Sequence, residues 1–275
     1  MNQFDQMATT AFLSEPVTYG IIGPVETIET HISRIFLAGD RAFKMKRAVK
    51  LPYVDFSTPE LRLAACRKEV ELNSVTAPGL YLGARRIRRE TGGELVFDGD
   101  GELVDAVVEM KRFEQSALLD HMAEAGALTP ELMTRTALMI ARFHRQAPVM
   151  HAKGGAANLA GVLDINKAGF ATSHVFSDTE VEALDAAFRK ALMRHGDVLN
   201  QRQLAGKVRR CHGDLHLRNI CLLGDEPCLF DCIEFNENIA TVDVLYDLAF
   251  LLMDLWHRGF PELANLVANR YLDET

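Results

Sequence analysis

Around Met110 the sequence changes its periodicity, and that change limits the folds open to the chain. Before it, short runs alternate apolar and polar residues between Gly/Asp turns, the two-residue period of strands. After it, apolar residues recur every three or four positions, the period of helices. Strands gathered in one half and helices in the other predict an α+β fold of two lobes rather than a βαβ succession. The boundary falls in Val108-Glu109-Met110-Lys111-Arg112, giving a β-rich lobe over residues 1–110 and a mainly helical lobe over 111–275. A chain of 275 residues is long enough for both.

In the first lobe, residues 1 to about 24 read as a weakly structured lead-in punctuated by Pro16, Gly20, Gly23 and Pro24. Strands follow at Ile32–Ala38 and Arg41–Val49, joined by the Gly39-Asp40 turn. Lys44 and Lys46 share one face of the second strand. Thr58-Pro59-Glu60 supplies a hydroxyl cap, a first-turn proline and an acid, and opens a helix to about Ser74. Its apolar face is read as Leu61, Ala64, Ala65 and Leu72. Glu69 and Glu71 point about 200° apart on that helix, so only one of them can reach a strand lysine. Further strands are expected at Tyr81–Arg89, Gly93–Phe97 and Leu103–Met110. Asp98-Gly99-Asp100-Gly101-Glu102 lacks calcium-loop spacing and reads as a tight turn.

In the second lobe, helices are expected from Ser116 to about Ala125, ended by Gly126, and from the Thr129-Pro130-Glu131 start to about Arg145. Leu132, Ile140 and Phe143 should face inward there, with Thr136 and Met139 beside them. Residues 148–176, with His151 and His174, show no clear period and read as loop. Ser177-Asp178-Thr179-Glu180 is a capping box for a helix ending at Gly196. Val242, Leu245, Leu248, Ala249, Leu252 and Trp256 mark a strongly apolar helix, and Pro261 starts one more.

Between these helices lies the stretch that carries chemistry, VRRCHGDLHLRNICLLGDEPCLFDCIEF, residues 208–235. Asp214 follows His212-Gly213; Asn219 comes five residues later, and Asp231 follows Phe230. Ile220–Leu223 and Cys228–Phe230 flank a Gly224-Asp225-Glu226-Pro227 turn, so a small hairpin brings Asn219 and Asp231 close together. A carboxylate to take a hydroxyl proton, with an amide oxygen and a second carboxylate suited to Mg²⁺, is the set that phosphoryl transfer needs. Four of the five cysteines crowd the same stretch (Cys211, Cys221, Cys228, Cys232). C-x₂-C pairs are absent, and the four read as small buried thiols.

The set His212-Gly213-Asp214-Leu215-His216-Leu217-Arg218-Asn219, Phe230-Asp231 and Tyr246-Asp247-Leu248-Ala249 resembles the aminoglycoside phosphotransferase family of the protein kinase-like fold. Glu29-Thr30-His31-Ile32-Ser33, Cys232-Ile233-Glu234-Phe235-Asn236 and Phe250-Leu251 are similar to a bacterial branch of uncharacterised members. The resemblance covers nearly the whole chain. It implies ATP and Mg²⁺ as cofactors and a small molecule carrying a hydroxyl group, aminoglycoside-like or sugar-like, as acceptor. It makes Asp214 the catalytic base, Asn219 and Asp231 the metal ligands, and Asp247 a brace for the catalytic loop. It implies a nucleotide lysine at Lys44, with Lys46 the alternative, paired with Glu69, with Glu71 the alternative. Glu109, Met110 and Lys111 correspond to the hinge that meets the adenine. A Gly-rich phosphate loop is absent from Glu26–Ile32, and backbone donors of Thr30–Ser33 are the expected substitute. Longer relatives of this branch can carry a C-terminal P-loop kinase domain, whose G-x-x-x-x-G-K-[ST] signature this chain lacks.

Two other classes compete. Asp214-Leu215-His216 is a D-x-H, as in metal-dependent phosphoesterases, but such sites need further ligands downstream and only His257 follows. A non-catalytic module binding a nucleotide or partner has no need for Asp214, Asn219 and Asp231 together. A net charge of −8 argues against nucleic acid as a partner. No apolar run reaches the roughly 18 residues of a membrane span, and the start lacks a signal-peptide pattern, so a cytoplasmic location without membrane association is expected. Glu234 and Asp254 are candidates to face a cationic ligand.

Overall fold

The computed structural model describes residues 6–151, 155–172 and 175–275, and the chain divides into two compact units, 1–114 and 115–275. His174 lies outside the described residues.

The first unit opens on helix α1 (Met7–Ser14) and a 3₁₀ turn (Pro16–Tyr19), where the sequence reads as a weakly structured lead-in. Proline and glycine mark the end of this segment correctly, but α1 is fixed by burial. Leu13 is fully enclosed in a core with Phe36, Phe43, Met45, Ile87 and Val107. Gln6, just before α1, gives Nε2 to the Lys46 carbonyl (2.8 Å) and to Asp105 (2.9 Å) and accepts from the Ala48 amide (2.8 Å).

Strands β1 (Glu26–Glu29), β2 (Ser33–Ala38), β3 (Arg41–Lys46), β4 (Lys50–Leu51) and β5 (Val54–Asp55) come next, then helix α2 (Pro59–Thr76). Strands β6 (Tyr81–Arg89), β7 (Leu95–Phe97) and β8 (Glu102–Lys111) complete the unit. Six of the eight form an antiparallel sheet in the order β1-β2-β3-β8-β6-β7, and β4 pairs with β5. At the β2–β3 turn Gly39 takes φ +59, the backbone region glycine enters without a steric cost. Phe43 and Met45 point into the apolar core, so the alternation of the strand turns Lys44 and Lys46 to the other face.

Helix α2 starts where expected, with the Thr58 hydroxyl accepting from the Leu61 amide at 3.3 Å. The buried stripe differs from the expected one. Arg62, Cys66, Glu69 and Asn73 face inward, while Leu61 is 42 % exposed and Ala64 also faces solvent. The reason is that each inward charge meets a counter-charge on the sheet. Arg62 bonds Asp105 at 2.6 Å, and Glu69 meets the lysines of β3. Paired charges can occupy a buried stripe that hydropathy alone assigns to alanine and leucine.

The second unit contains α3 (Leu119–Glu124), α4 (Pro130–Gln146), α5 (Gly155–Phe170), α6 (Asp178–Leu204), β9 (Val208–Arg210), β10 (Ile220–Leu223), β11 (Glu226–Leu229), α7 (Glu237–Ala240), β12 (Thr241–Asp243), α8 (Val244–His257) and α9 (Pro261–Asp273). β10 and β11 form the expected hairpin, and β9 pairs antiparallel with β12. Met133, Ala137, Ile140 and Ala141 of α4 pack with Leu248, Leu251 and Leu255 of α8 and Val267 and Tyr271 of α9.

Three expectations change here. Helix α5 lies within the segment read as loop, and His151, just before it, is exposed. This helix buries only Gly155, Val162 and Leu163, too few to show a period. A Cβ on Gly155 would stand 2.2 Å from the Leu199 carbonyl oxygen, so the glycine permits close approach to α6 rather than marking a turn. Helix α6 begins at the Ser177–Glu180 capping box but runs through Gly196 to Leu204, and Gly206, with φ +72, supplies the left-handed stop. In α8 the buried stripe is Val244, Asp247, Leu248, Leu251 and Leu255, while Leu245 is exposed, Trp256 is 68 % exposed and Val242 belongs to β12. The stripe is phased around a buried aspartate, which a purely apolar reading skips. No described helix is long and apolar enough to cross a membrane.

Candidate active site

In the first unit Glu69 is fully buried and accepts from both strand lysines. Lys44 Nζ lies 2.9 Å from Oε1, and Lys46 Nζ bonds Oε2. Glu71, one helical step away, is exposed and pairs with Lys68 at 2.9 Å. The two lysines differ in access: the Lys44 side chain is 9 % exposed and that of Lys46 is 1 %. Lys46 also lies 5.5 Å from the centre of the Phe56 ring.

Glu109, Met110 and Lys111 end β8, flanked by β3 and β6. The Glu109 carboxylate bonds Arg85 at 2.9 Å and stands 3.8 Å from Arg41. The Lys111 amide donates to the Leu80 carbonyl and that of Arg112 to the Asp40 carbonyl. At the turn between β1 and β2 the Thr30 amide donates to the Ser33 carbonyl (2.8 Å), and the Ser33 amide to the Thr30 hydroxyl (3.0 Å). Two of the four donors expected to stand in for a phosphate loop are therefore engaged within the turn itself.

In the second unit the loop after β9 is shaped by side chains gripping backbone. Asp247, fully buried on α8, accepts from the Gly213 amide on Oδ1 (2.7 Å) and from the His212 amide on Oδ2 (3.1 Å). Its Oδ2 also accepts from His144 Nε2 at 2.9 Å. Burial works to raise the Asp247 carboxyl, and these donors together hold it below the ordinary carboxylate value. Gly213 sits at φ +86, where a Cβ would press within 3.2 Å of Ile233 and 3.3 Å of Ala240. His212 gives Nε2–H to the Phe230 carbonyl (2.9 Å) and accepts the Asp214 amide on Nδ1 (3.3 Å), so it is a neutral imidazole. Burial lowers its pKa in agreement.

Asp214 emerges from this turn with its side chain 43 % exposed. Asn219 Nδ2 donates to its carbonyl (2.9 Å) and to its Oδ2 (3.1 Å). His216 Nε2 stands 3.3 Å from the same Oδ2. Burial pushes the Asp214 carboxyl up, but the hydrogen bond and charge of His216 outweigh it and leave the pKa lowered. For His216 burial lowers the pKa, and the bond to Asp214 more than reverses that. This pairing has no signal in the sequence beyond the D-x-H spacing, which points instead to a metal.

Both acceptors of Asn219 are oxygens, so its amide nitrogen must face them and its Oδ1 turns away as an acceptor. The Phe230 amide donates to the Asn219 carbonyl at 3.1 Å, which ties the end of the hairpin to residue 219. Asp231 follows with φ +60, a left-handed conformation that costs energy in any residue but glycine. Asp254 accepts from the Leu217 amide (3.0 Å) and from Arg258 Nε (2.8 Å), so it serves the loop rather than a cationic ligand. Glu234 is buried. Cys221 and Cys228 face each other across β10 and β11 with sulfurs 3.4 Å apart, and all five cysteines are buried free thiols. Among the described residues no third His, Cys, Asp or Glu ligand atom joins Asp214 and His216 in a metal-sized cluster. The one such cluster, His144, Cys211 and Asp247, has its histidine and aspartate committed to the loop-bracing bonds.

The model of the phosphotransferase enzyme family matches residues 92–275, more than half of the chain. The chain belongs to this family. It is 32 % identical over 247 residues to uncharacterized proteins of Mycobacterium tuberculosis and Mycobacterium bovis, which covers 88 % of the chain but 48 % of theirs. The chain therefore spans about half the length of the curated relatives it matches. Similar solved structures include a choline/ethanolamine kinase family protein of Mesorhizobium loti (TM-score 0.54, 16 % identity, 97 % of this chain and 75 % of that one). An aminoglycoside-3'-phosphotransferase of type VIII is also similar (0.53, 15 %, 98 % and 92 %), as is a choline kinase of Cryptosporidium parvum (0.55, 11 %, 99 % and 80 %). At these identities the likeness establishes the protein kinase-like fold.

Proposed function

We propose that the protein is an ATP- and Mg²⁺-dependent phosphotransferase that moves the γ-phosphate to a hydroxyl group of a small molecule. The observation that carries this reading is the arrangement around Asp214: a part-exposed carboxylate on a loop fixed by Asp247, with Asn219 giving it Nδ2 and so turning Oδ1 away from it. Asn219 Oδ1 and the Asp231 carboxylate are hard oxygen donors of the kind Mg²⁺ takes, and they would hold it. When bound, the ion neutralises charge on the nucleotide's phosphates. Asp214 orients the acceptor hydroxyl and accepts its proton, and its lowered pKa keeps it ionised for that task. Lys44, the more accessible of the two lysines, takes the α/β-phosphates, with Lys46 behind it on the other oxygen of Glu69. Glu109–Lys111 is the adenine-side segment. The Lys111 and Arg112 amides are already bonded to the Leu80 and Asp40 carbonyls, so neither is the donor that meets the base.

A choline/ethanolamine kinase family protein and an aminoglycoside-3'-phosphotransferase among the similar structures fit a hydroxyl acceptor. A phosphoesterase reading gains nothing, because His216 serves Asp214 and His257 is an exposed residue at the end of α8. The test is a phosphate-transfer screen of MgATP against sugars, amino sugars, aminoglycosides and small alcohols, run on wild type, Asp214→Asn and Asp231→Ala. Asp214→Asn should lose about 10²–10⁴-fold in turnover while ATP still binds, the usual range for a general base. Asp231→Ala should lose Mg²⁺-dependent nucleotide binding. Equal turnover of Asp214→Asn and wild type on any accepted substrate sinks the reading.

A further inference from the structure

Asp247 is not the end of the chain of bonds that begins at the Asp214 loop. It accepts from Nε2 of His144 on α4, and Nδ1 of the same ring lies 2.8 Å from the hydroxyl of Tyr271 on α9. His144, Asp247 and Tyr271 are all buried, the last two completely. The Tyr271 ring meets the His144 ring edge-on, with centroids 5.5 Å apart and planes at 78°. Helix α4 and the consecutive helices α8 and α9 thus contribute to one line of side chains that stops at two backbone amides, those of His212 and Gly213.

The direction of each bond follows from donor chemistry. The Asp247 carboxylate only accepts, so His144 Nε2 must carry a hydrogen. A neutral ring then has a bare Nδ1, which can only accept. The Tyr271 phenol, whose pKa burial raises, is the donor that matches it. Without that hydroxyl Nδ1 loses its partner in this line, and one of the two bonds that set the plane of the ring is gone.

We infer that Tyr271 and His144 are positioning residues for the loop that presents Asp214: the phenol fixes the orientation of the imidazole, the imidazole holds Asp247, and Asp247 sets the amides of His212 and Gly213. The inference rests on reading Asp214 as the catalytic base, but its structural half stands apart from that reading and is measured apart from it.

Hydrogen exchange at single amides reads the loop directly. In Tyr271→Phe, which removes one oxygen, the His212 and Gly213 amides should exchange about tenfold faster, the effect of losing one net hydrogen bond. The Ile140 and Leu251 amides, inside α4 and α8, read the loss of global stability, and the His212 and Gly213 amides should accelerate several-fold more than they do. A glutamine presents no ring nitrogen for the phenol to hold, so in a His144→Gln background Tyr271→Phe should shift the loop amides by less than about twofold. The functional arm uses MgATP with water as acceptor. Turnover in Tyr271→Phe should fall about three- to tenfold while KM for ATP stays within about twofold, the mark of a group acting on the chemical step.

Equal acceleration at all four amides, or none at His212 and Gly213, overturns the inference. So does an undiminished effect of Tyr271→Phe in the His144→Gln background. A wild-type protein with no ATP turnover on any acceptor counts against the phosphotransferase reading alone, and the exchange pattern then decides this one.

Discussion

Glu69 and Asp247 are both fully buried carboxylates, one in each unit, and they are neutralised in different ways. Glu69 lies between the Lys44 and Lys46 ammonium groups, charge against charge, on two regular elements. Asp247 bonds no lysine or arginine among the described residues. Its charge is spread over two backbone amides of an irregular loop and a ring N–H of His144 on α4. An ion pair tolerates some change of angle, whereas three hydrogen bonds to two oxygens fix the accepting group in direction as well as distance. The first arrangement suits the task of holding a lysine in place; the second suits the task of holding a backbone turn.

The difference is largest when the carboxylate is removed. Glu69→Ala leaves two lysines buried beside each other, and removing one partner of a buried pair costs about 3–5 kcal/mol. Chemical denaturation should show a loss in that range. Replacing Lys46 by Met in the Glu69→Ala background should recover more stability than replacing Lys44, because Lys46 is the more deeply enclosed. Recovery from Lys44→Met alone would mean that the two lysines have been ranked the wrong way round.

Asp247→Asn tests the other half of the comparison at smaller cost. Both oxygens of Asp247 accept, so either orientation of the amide sets its NH₂ group against an N–H donor. Leaving buried donors unsatisfied costs about 1–3 kcal/mol. Unlike Glu69→Ala, no second substitution of a charged residue should restore the loss. A melt indistinguishable from wild type would show that the amides of His212 and Gly213 find other acceptors.

The same contrast decides how much could be read from the sequence. The strand–helix segregation, the Thr58, Thr129 and Ser177 caps, and the β10–β11 hairpin are local patterns, and they are where the sequence places them. Lys44, Lys46 and Glu69 are legible because regular elements repeat their faces: two lysines two apart on a strand must point the same way. Which lysine meets Glu69 is not legible, and the answer, both, depends on how α2 sits over β3. The buried stripes of α2 and α8 depart from the apolar pattern at charged residues, Arg62 and Glu69 in one and Asp247 in the other, because hydropathy carries no information about partners. Helix α5 hid behind glycines that serve packing. His144, His216 and Tyr271 gave no sequence signal of their roles, since each acts through a residue distant in the chain or through a ring nitrogen whose direction only the fold fixes.

The smallest effect separates two histidines of the Asp214 loop by sign. The bond to Asp214 raises the His216 pKa against the lowering effect of burial, so the folded value lies above the unfolded one. Its contribution to stability is therefore complete below about pH 6.5, the unfolded value, and is lost as pH rises through the folded one. His212 is the reverse case. Burial lowers its pKa, so the unfolded chain takes up a proton near pH 6.5 that the folded one refuses, and acidification costs stability there. A comparison of wild type with His216→Asn by denaturant titration between about pH 5.5 and 8.5 isolates the first term. Because both groups of the pair are partly exposed, the advantage of wild type should be a few tenths of a kcal/mol at the acid end. It should shrink toward zero as pH rises. An advantage that grows with pH would mean that His216 works as a neutral hydrogen-bonding group, and that Asp214 is held below its ordinary pKa by the loop alone.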